Sequence, residues 1–278
     1  MVSINPLKRM KTMKKYMFMA VAGMLALSSC SNDDNDQTTQ NAPRQMTFTA
    51  GFGDGATTRA TLDGSTKEVS FDAGDEISIL SANNTNTEFT TTEDGASVTF
   101  TGTATADSKF YAVYPYTDGL TLDPSTGIIS GVEIPTSQFD AVYSTCGWDP
   151  RAPIAYATTT GTDLQFHNAC ALLKITNNRG EAQVIEVSCH EALAGKFSLN
   201  TSDGALSGSD GTAPYAAVMG VPADQTIYIA IAPGEKTGFE VNWMGTDHSH
   251  AFKMKHSPVT FEAGKIYNLG NTSAWDEH

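Results

Sequence analysis

The stretch Val69-Ser70-Phe71-Asp72-Ala73-Gly74-Asp75-Glu76-Ile77-Ser78-Ile79 contains two short runs of alternating apolar and polar residues, joined by an acid-Ala-Gly turn. Alternation with a period of two puts one set of side chains on each face of an extended chain, as in a strand with one buried face. The habit recurs in Met46-Thr47-Phe48-Thr49-Ala50, in Val98-Thr99-Phe100 ahead of Gly102, and in Phe110-Tyr111-Ala112-Val113-Tyr114, which ends at Pro115. In the second half Ile185, Val187 and Cys189 share one face, and Phe239, Val241 and Trp243 another. Both faces of Ile227-Tyr228-Ile229-Ala230-Ile231-Ala232 are apolar, which fits a strand covered on both sides. Turn pairs punctuate these runs: Asp54-Gly55, Asp63-Gly64, Asp94-Gly95, Asp118-Gly119, Asp203-Gly204, Asp210-Gly211 and Pro233-Gly234. Asp-Gly between alternating runs favours hairpins, because glycine accepts positive φ. No long stretch repeats apolar residues at three and four. The predicted class is an all-β sandwich.

A chain of this length exceeds one small core, so two domains are expected. Phe71-Asp72-Ala73-Gly74-Asp75-Glu76-Ile77 is echoed by Phe261-Glu262-Ala263-Gly264-Lys265-Ile266, each a strand end, a turn and a new strand. Ala157-Thr158-Thr159-Thr160-Gly161 is the linker candidate. The boundary is placed near residue 160, giving an N-terminal sandwich over 46–160 and a C-terminal one over 161–278.

Ahead of these domains, basic residues Lys8, Arg9, Lys11, Lys14 and Lys15 precede an apolar run from Tyr16 to Leu27 and small residues before Cys30. That is the layout of a secretory signal peptide, residues 1–29. Its apolar run is too short for ~30 Å of hydrocarbon. Leu27-Ser28-Ser29-Cys30 resembles a bacterial lipobox, which implies an acylated Cys30 as the mature N-terminus. The tether over 30–45 carries Ser31-Asn32-Asp33-Asp34-Asn35-Asp36, too polar to form a core. It resembles an export tag to the outer face of the outer membrane.

Five of the 17 basic residues lie in the signal and none of the 31 acids do, so the mature charge is 12 − 31 = −19. Such a body repels phosphate backbones, which argues against a nucleic-acid partner. It also repels anionic head groups, so membrane contact is expected through the acyl chains alone. Cys146, Cys170 and Cys189 show no CxxC spacing, and Cys170 and Cys189 read as buried thiols in apolar strands. His248 and His250, with His256 and Asp247 nearby, read as a polar hairpin tip rather than a metal site. His167 reads as a structural histidine in an apolar strand. No G-x-S-x-G, H-E-x-x-H or phosphate-cradling glycine loop occurs, so no catalytic residue, metal or cofactor is expected. Trp148, Tyr143, Trp275 and Tyr116 are candidate glycan-contacting aromatics, Tyr116 reading first as core, and Gln138-Phe139-Asp140-Ala141-Val142-Tyr143-Ser144 a candidate contact loop.

An ordered set of motifs resembles the fimbrillin-like lipoproteins, pilus subunits and pilus-associated adhesins of anaerobic gut and oral bacteria. The set is Met46-Thr47-Phe48-Thr49-Ala50-Gly51-Phe52, Thr58-Arg59-Ala60-Thr61, the 71–77 stretch, and Tyr111-Ala112-Val113-Tyr114-Pro115-Tyr116. It continues with Leu164-Gln165-Phe166-His167-Asn168-Ala169-Cys170-Ala171-Leu172-Leu173-Lys174-Ile175, Ile229-Ala230-Ile231-Ala232-Pro233-Gly234 and Gly264-Lys265-Ile266-Tyr267-Asn268-Leu269. The resemblance implies two β-sandwich domains of Greek-key, transthyretin-like topology. It also implies a surface protease cutting after an arginine, loss of the first strand, and a neighbouring subunit's strand filling the groove. Arg59, with Ala60 as the new N-terminus, fits that cut; among Arg44, Arg59, Arg151 and Arg179 it alone follows the first strand in a glycine-rich loop. The expected partners are other fimbrial subunits, and the expected location is the outer membrane surface and the fimbrium. The short tail after Leu269 is poor as a donor strand. The alternative is an uncleaved lipoprotein that binds glycans or host proteins through loop aromatics.

Overall fold

The computed structural model describes residues 42–53, 61–62, 69–144, 147–209 and 211–277. Its regular structure is almost wholly strand. Among the described residues the helical pieces are two 3-10 turns, Phe139–Ala141 and Thr272–Ala274. The all-β expectation holds, and the alternating runs become strands, including Arg44–Phe52, Glu76–Ser81, Ser97–Ala104, Phe110–Tyr114 and Phe239–Gly245. The echoed segments have matching local structure. Phe71 and Phe261 are both buried, and the following glycines, Gly74 and Gly264, take φ of 99° and 72°. Only glycine adopts that region without strain. The Gly74 amide donates to the Thr91 carbonyl at 2.9 Å, and the Gly264 amide to the Cys170 carbonyl at 2.8 Å.

The first half does not form an open sandwich. Its strands close into a barrel in the order Arg44–Phe52, Asp163–Asn168, Ala155–Thr159, Phe110–Tyr114, Glu76–Ser81, Asn84–Thr91 and Ser97–Ala104. Closure depends on the first strand. It runs antiparallel to Ser97–Ala104 on one side and parallel to Asp163–Asn168 on the other. An aromatic core of Phe48, Phe71, Phe89, Phe100, Phe110 and Phe166 fills the interior.

The second core lies under a three-stranded sheet (Gln225–Ile231, Ala171–Asn177, Ile266–Asn271) and a five-stranded sheet (Tyr215–Val221, Ala182–Ser188, Phe239–Gly245, His250–Lys255, Asp276–Glu277). Leu172, Ile175, Ile229, Ile185, Val187, Val241 and Trp243 all belong to it. Gln225–Ile231, read as covered on both faces, has Ile227, Ile229, Ala230 and Ile231 buried.

The linker read at 157–161 is instead the end of a barrel hairpin: Ala155–Thr159 and Asp163–Asn168 pair antiparallel through Ala155↔Asn168 and Tyr156↔His167. Conversely, Thr121–Asp123 pairs with Ile128–Ile134, which in turn pairs with Gly195–Asn200 in a four-stranded sheet, so strand pairing crosses residue 160 here as it does in the barrel. The two cores also share a wall. In Phe110–Tyr114, Ala112 and Tyr114 face the barrel interior while Tyr111 and Val113 face the second core. That is why the strand is apolar on both faces.

Candidate functional site: the first strand and its groove

The strand Arg44–Phe52 turns Met46, Phe48, Ala50 and Phe52 toward the barrel core, with Thr47 and Thr49 exposed. Its antiparallel register runs from Arg44↔Ala104 to Gly51↔Ser97, and its parallel register only from Thr49↔Asp163 to Phe52↔Phe166. Arg44 to Phe48 therefore pair on one side alone. The Thr49 amide donates to the Thr162 carbonyl at 2.8 Å and the Gly53 amide to Phe166 at 3.1 Å. The Phe48 ring meets Phe89 and Phe110 edge-on, with centroids 5.4 and 5.1 Å apart, and Phe52 stacks on Phe71 at 4.8 Å. Taking this strand away would leave two unpaired strand edges and uncover an aromatic groove, and an incoming strand with the same alternation would repair both.

Arg59 and Ala60, the residues expected at the cut, lie outside the described residues, as do Cys30 and Cys146. Arg44 is exposed at the start of the first strand. Arg151 is held by Asp149, through Nε to Oδ1 at 3.0 Å and Nη2 to Oδ2 at 2.7 Å. Arg179 is engaged at the other end of the chain. Its guanidinium donates to the Thr272 carbonyl at 3.3 Å and the Trp275 carbonyl at 3.2 Å, pairs with Glu277, and lies over the Trp243 ring. Lys253 donates to the Leu269 carbonyl at 2.9 Å. The tail is thus built into its own body: Ile266–Asn271 runs parallel to Ala171–Asn177, and Asp276–Glu277 pairs with Ala251 and Phe252. Arg179→Ala removes charge-assisted bonds worth about 1.5–3 kcal/mol each. It is expected to speed amide exchange over 272–277 by about tenfold or more while leaving the barrel amides unchanged. Unchanged exchange in the tail would show that Arg179 does not hold it.

Two expected glycan contacts are not available. Trp148 is fully buried and Trp275 is 5% exposed. The loop carrying Trp148 folds back on the second core. Gln138 brackets Ala230, accepting from its amide at 2.9 Å and donating to its carbonyl at 2.8 Å, and the Trp148 ring packs edge-on to Tyr228 at 5.7 Å. Tyr116 is half-buried; burial, then the charges of Asp118, Glu88 and Glu76, raise its hydroxyl above the ordinary tyrosine pKa. In the loop over 138–144, Tyr143, at 84% exposed, and Phe139 lie at the surface. Cys170 and Cys189 are both buried, as read from their apolar strands. His248 and His250 lie on an exposed hairpin tip, and no three-ligand metal cluster occurs among the described residues.

His167 is not a core histidine. Along Asp163–Asn168 the inward residues are Leu164 and Phe166, so Asp163, Gln165 and His167 face out. The alternation was legible in the sequence, but the apolar neighbours on either side obscured it.

No protein-family model matches the chain, and no curated protein does. Among solved structures, a Bacteroides uniformis protein provisionally described as a cell adhesion protein has a TM-score of 0.54 and 16% identity, covering 84% of this chain and 95% of its own. A Bacteroides ovatus protein with the same description has a TM-score of 0.49 and 15% identity, over 85% and 96%. The tip fimbrial protein Mfa3 of Porphyromonas gingivalis has a TM-score of 0.39 and 9% identity, over 82% and 94%. Among the described residues no helix is long and apolar enough to cross a membrane. The chain therefore shares its fold with the first of these Bacteroides structures.

Proposed function

We propose that the chain is a fimbrial subunit or pilus-associated adhesin, held at the outer membrane surface by an acylated Cys30 and assembled by strand exchange. The observation that carries this reading is the first strand. It closes the barrel, contributes Phe48 and Ala50 to its core, and is followed in the sequence by the glycine-rich stretch that contains Arg59. A cut between Arg59 and Ala60 severs that strand from the body and leaves a groove shaped for an alternating strand from a neighbouring subunit. Arg151 and Arg179 are tied by ion pairs, and a cut at Arg44 would release the lipid without opening the groove. A mature charge of −19 leaves protein or uncharged glycan as the partners, not nucleic acid.

Limited digestion of the lipid-free chain with an arginine-specific protease tests this. The expected product begins at Ala60 and forms higher oligomers by size and light scattering. A chain that resists digestion, or a cut product that stays monomeric at high concentration, would argue against assembly by exchange. The second reading, an uncleaved adhesin lipoprotein, is favoured by the exposed Tyr143 and by an open cleft lined by Tyr156, Gln165, His167 and Asp203.

A further inference from the structure

The outward face of the barrel hairpin forms one wall of an open cleft of about 470 Å³, and the turn at Thr201, Ser202 and Asp203 forms the other. The volume is that of small-ligand pockets, which run from roughly 300 to 1,000 Å³. The turn is built rigidly. Asn200 Oδ1 accepts from the Ser202 amide at 3.0 Å and its hydroxyl at 2.8 Å, Thr201 Oγ1 donates to the Gly127 carbonyl at 2.8 Å, and Asp203 Oδ1 caps the Ala205 amide at 2.9 Å. Gly204, at φ +76°, brings the turn against Tyr156; a Cβ there would lie 2.6 Å from the Tyr156 hydroxyl.

The polar groups lining the cleft are largely unused. The Tyr156 hydroxyl, the Gln165 amide and the His167 ring nitrogens have no hydrogen-bond partner among the described residues, and Asp203 Oδ2 is also open. Tyr156 and His167 rest ring against ring at 5.8 Å, a partly apolar seat beside these donors and acceptors. Burial, and then the Asp203 charge, raise the Tyr156 hydroxyl above its ordinary pKa, so it stays a neutral donor. Among the described residues no lysine or arginine lines the cleft, and one carboxylate does. That balance disfavours sulfated or carboxylated ligands.

We propose that this cleft binds an uncharged glycan, with a sugar ring seated beside Tyr156 and His167 and its hydroxyls bonded to Gln165 and Asp203. The aromatic rings take the apolar C–H face of a sugar, and paired acceptors and donors suit vicinal hydroxyls. The cleft shares a wall with the strand-exchange site. A Cβ on Gly53 would lie 3.3 Å from the His167 ring, and one on Gly51 would lie 4.0 Å from Gln165 Nε2. The proposal deepens the adhesin reading and rests on it.

The test is binding by the intact, uncleaved chain to an array of neutral, carboxylated and sulfated glycans, followed by titration of the best neutral binder. Gln165→Ala and Asp203→Asn are the variants, since neither side chain is in a core and asparagine keeps the oxygen that caps Ala205. Saturable binding of a neutral glycan is expected, at least tenfold weaker in the double variant at an unchanged melting temperature. No binding, binding confined to anionic glycans, or binding that both substitutions leave intact would overturn it. Because this assay uses uncleaved monomer and the assembly assay reads oligomers, either can fail alone.

Discussion

Phe48→Ala is expected to lower the stability of the chain by about 3–5 kcal/mol, the usual cost of emptying a buried phenylalanine site. Phe48 is fully buried and is bracketed edge-on by Phe89 and Phe110, rings from two further barrel strands. Alanine would leave both rings facing a void that neither can fill without leaving its own strand register. At roughly 2–4 °C per kcal/mol for a chain of this size, the melting temperature should fall by on the order of 10 °C. Thr47→Ala, on the exposed face of the same strand, should change stability by less than about 0.5 kcal/mol. Urea denaturation of the pair separates the alternatives. A loss below about 1 kcal/mol for Phe48→Ala would mean that the first strand is peripheral to the barrel, and the strand-exchange reading would lose its main support. The side chain that the variant removes is also the one a donor strand would have to replace. The same substitution should therefore make the native strand easier to displace.

Local pattern carried the strands, and distance in the chain hid their assembly. The alternation in Met46-Thr47-Phe48-Thr49-Ala50 marks the strand and its inward face. Nothing in those residues signals that Thr49 will lie beside Asp163, a parallel pairing more than a hundred positions away. That pairing is what turns an open sheet into a closed barrel. The same gap explains the boundary. Thr158-Thr159-Thr160-Gly161 has the composition of a linker, yet it finishes one barrel strand and leads into the next. Phe110-Tyr111-Ala112-Val113-Tyr114 held a clue, since a strand apolar on both faces must be covered on both, and here the two covers are two different cores.

At the candidate sites, residue type was a weaker guide than facing direction. Trp148 follows a glycine in a polar loop and reads as exposed. It is buried because Gln138, ten residues earlier, anchors that loop to Ala230 through a side chain whose partner no local pattern reveals. Tyr156 and His167, which line the cleft, lie in runs dominated by core residues, and the contact of Tyr156 with Gly204 is long-range. The Asp203-Gly204 turn was legible; the tyrosine it packs against was not.

The second large effect is expected at Asn177, which a strand reading of Ala171–Asn177 would leave as a polar residue at a strand end. It is fully buried and joins four segments. Its Nδ2 lies 2.6 Å from the Gly180 carbonyl, 3.0 Å from Val221 and 2.8 Å from Pro222, and its Oδ1 accepts from Trp243 Nε1 at 3.0 Å and Thr272 Oγ1 at 3.2 Å. Asn177→Leu keeps the volume and strands these partners without a mate in the interior. Each buried polar group left so costs about 1–3 kcal/mol, so even with partial rearrangement a loss of about 4 kcal/mol is expected. Asn177→Asp should be little better, since it turns two donors facing three carbonyls into an anion. Thermal denaturation followed at the Trp243 signal gives the size of the loss, and adding Thr272→Val to Asn177→Leu shows whether it travels through the tail. If the two losses fall short of adding, the amide and the tail act as one unit. Near-wild-type stability for Asn177→Leu would mean that the carbonyls and the indole find other partners and that the hub does not hold the segments together. Because Thr272 begins the segment that Arg179 clamps, a weakened hub should also loosen residues 272–277. Any donation of this tail to a neighbouring subunit would first have to break the bonds that Asn177 and Arg179 make.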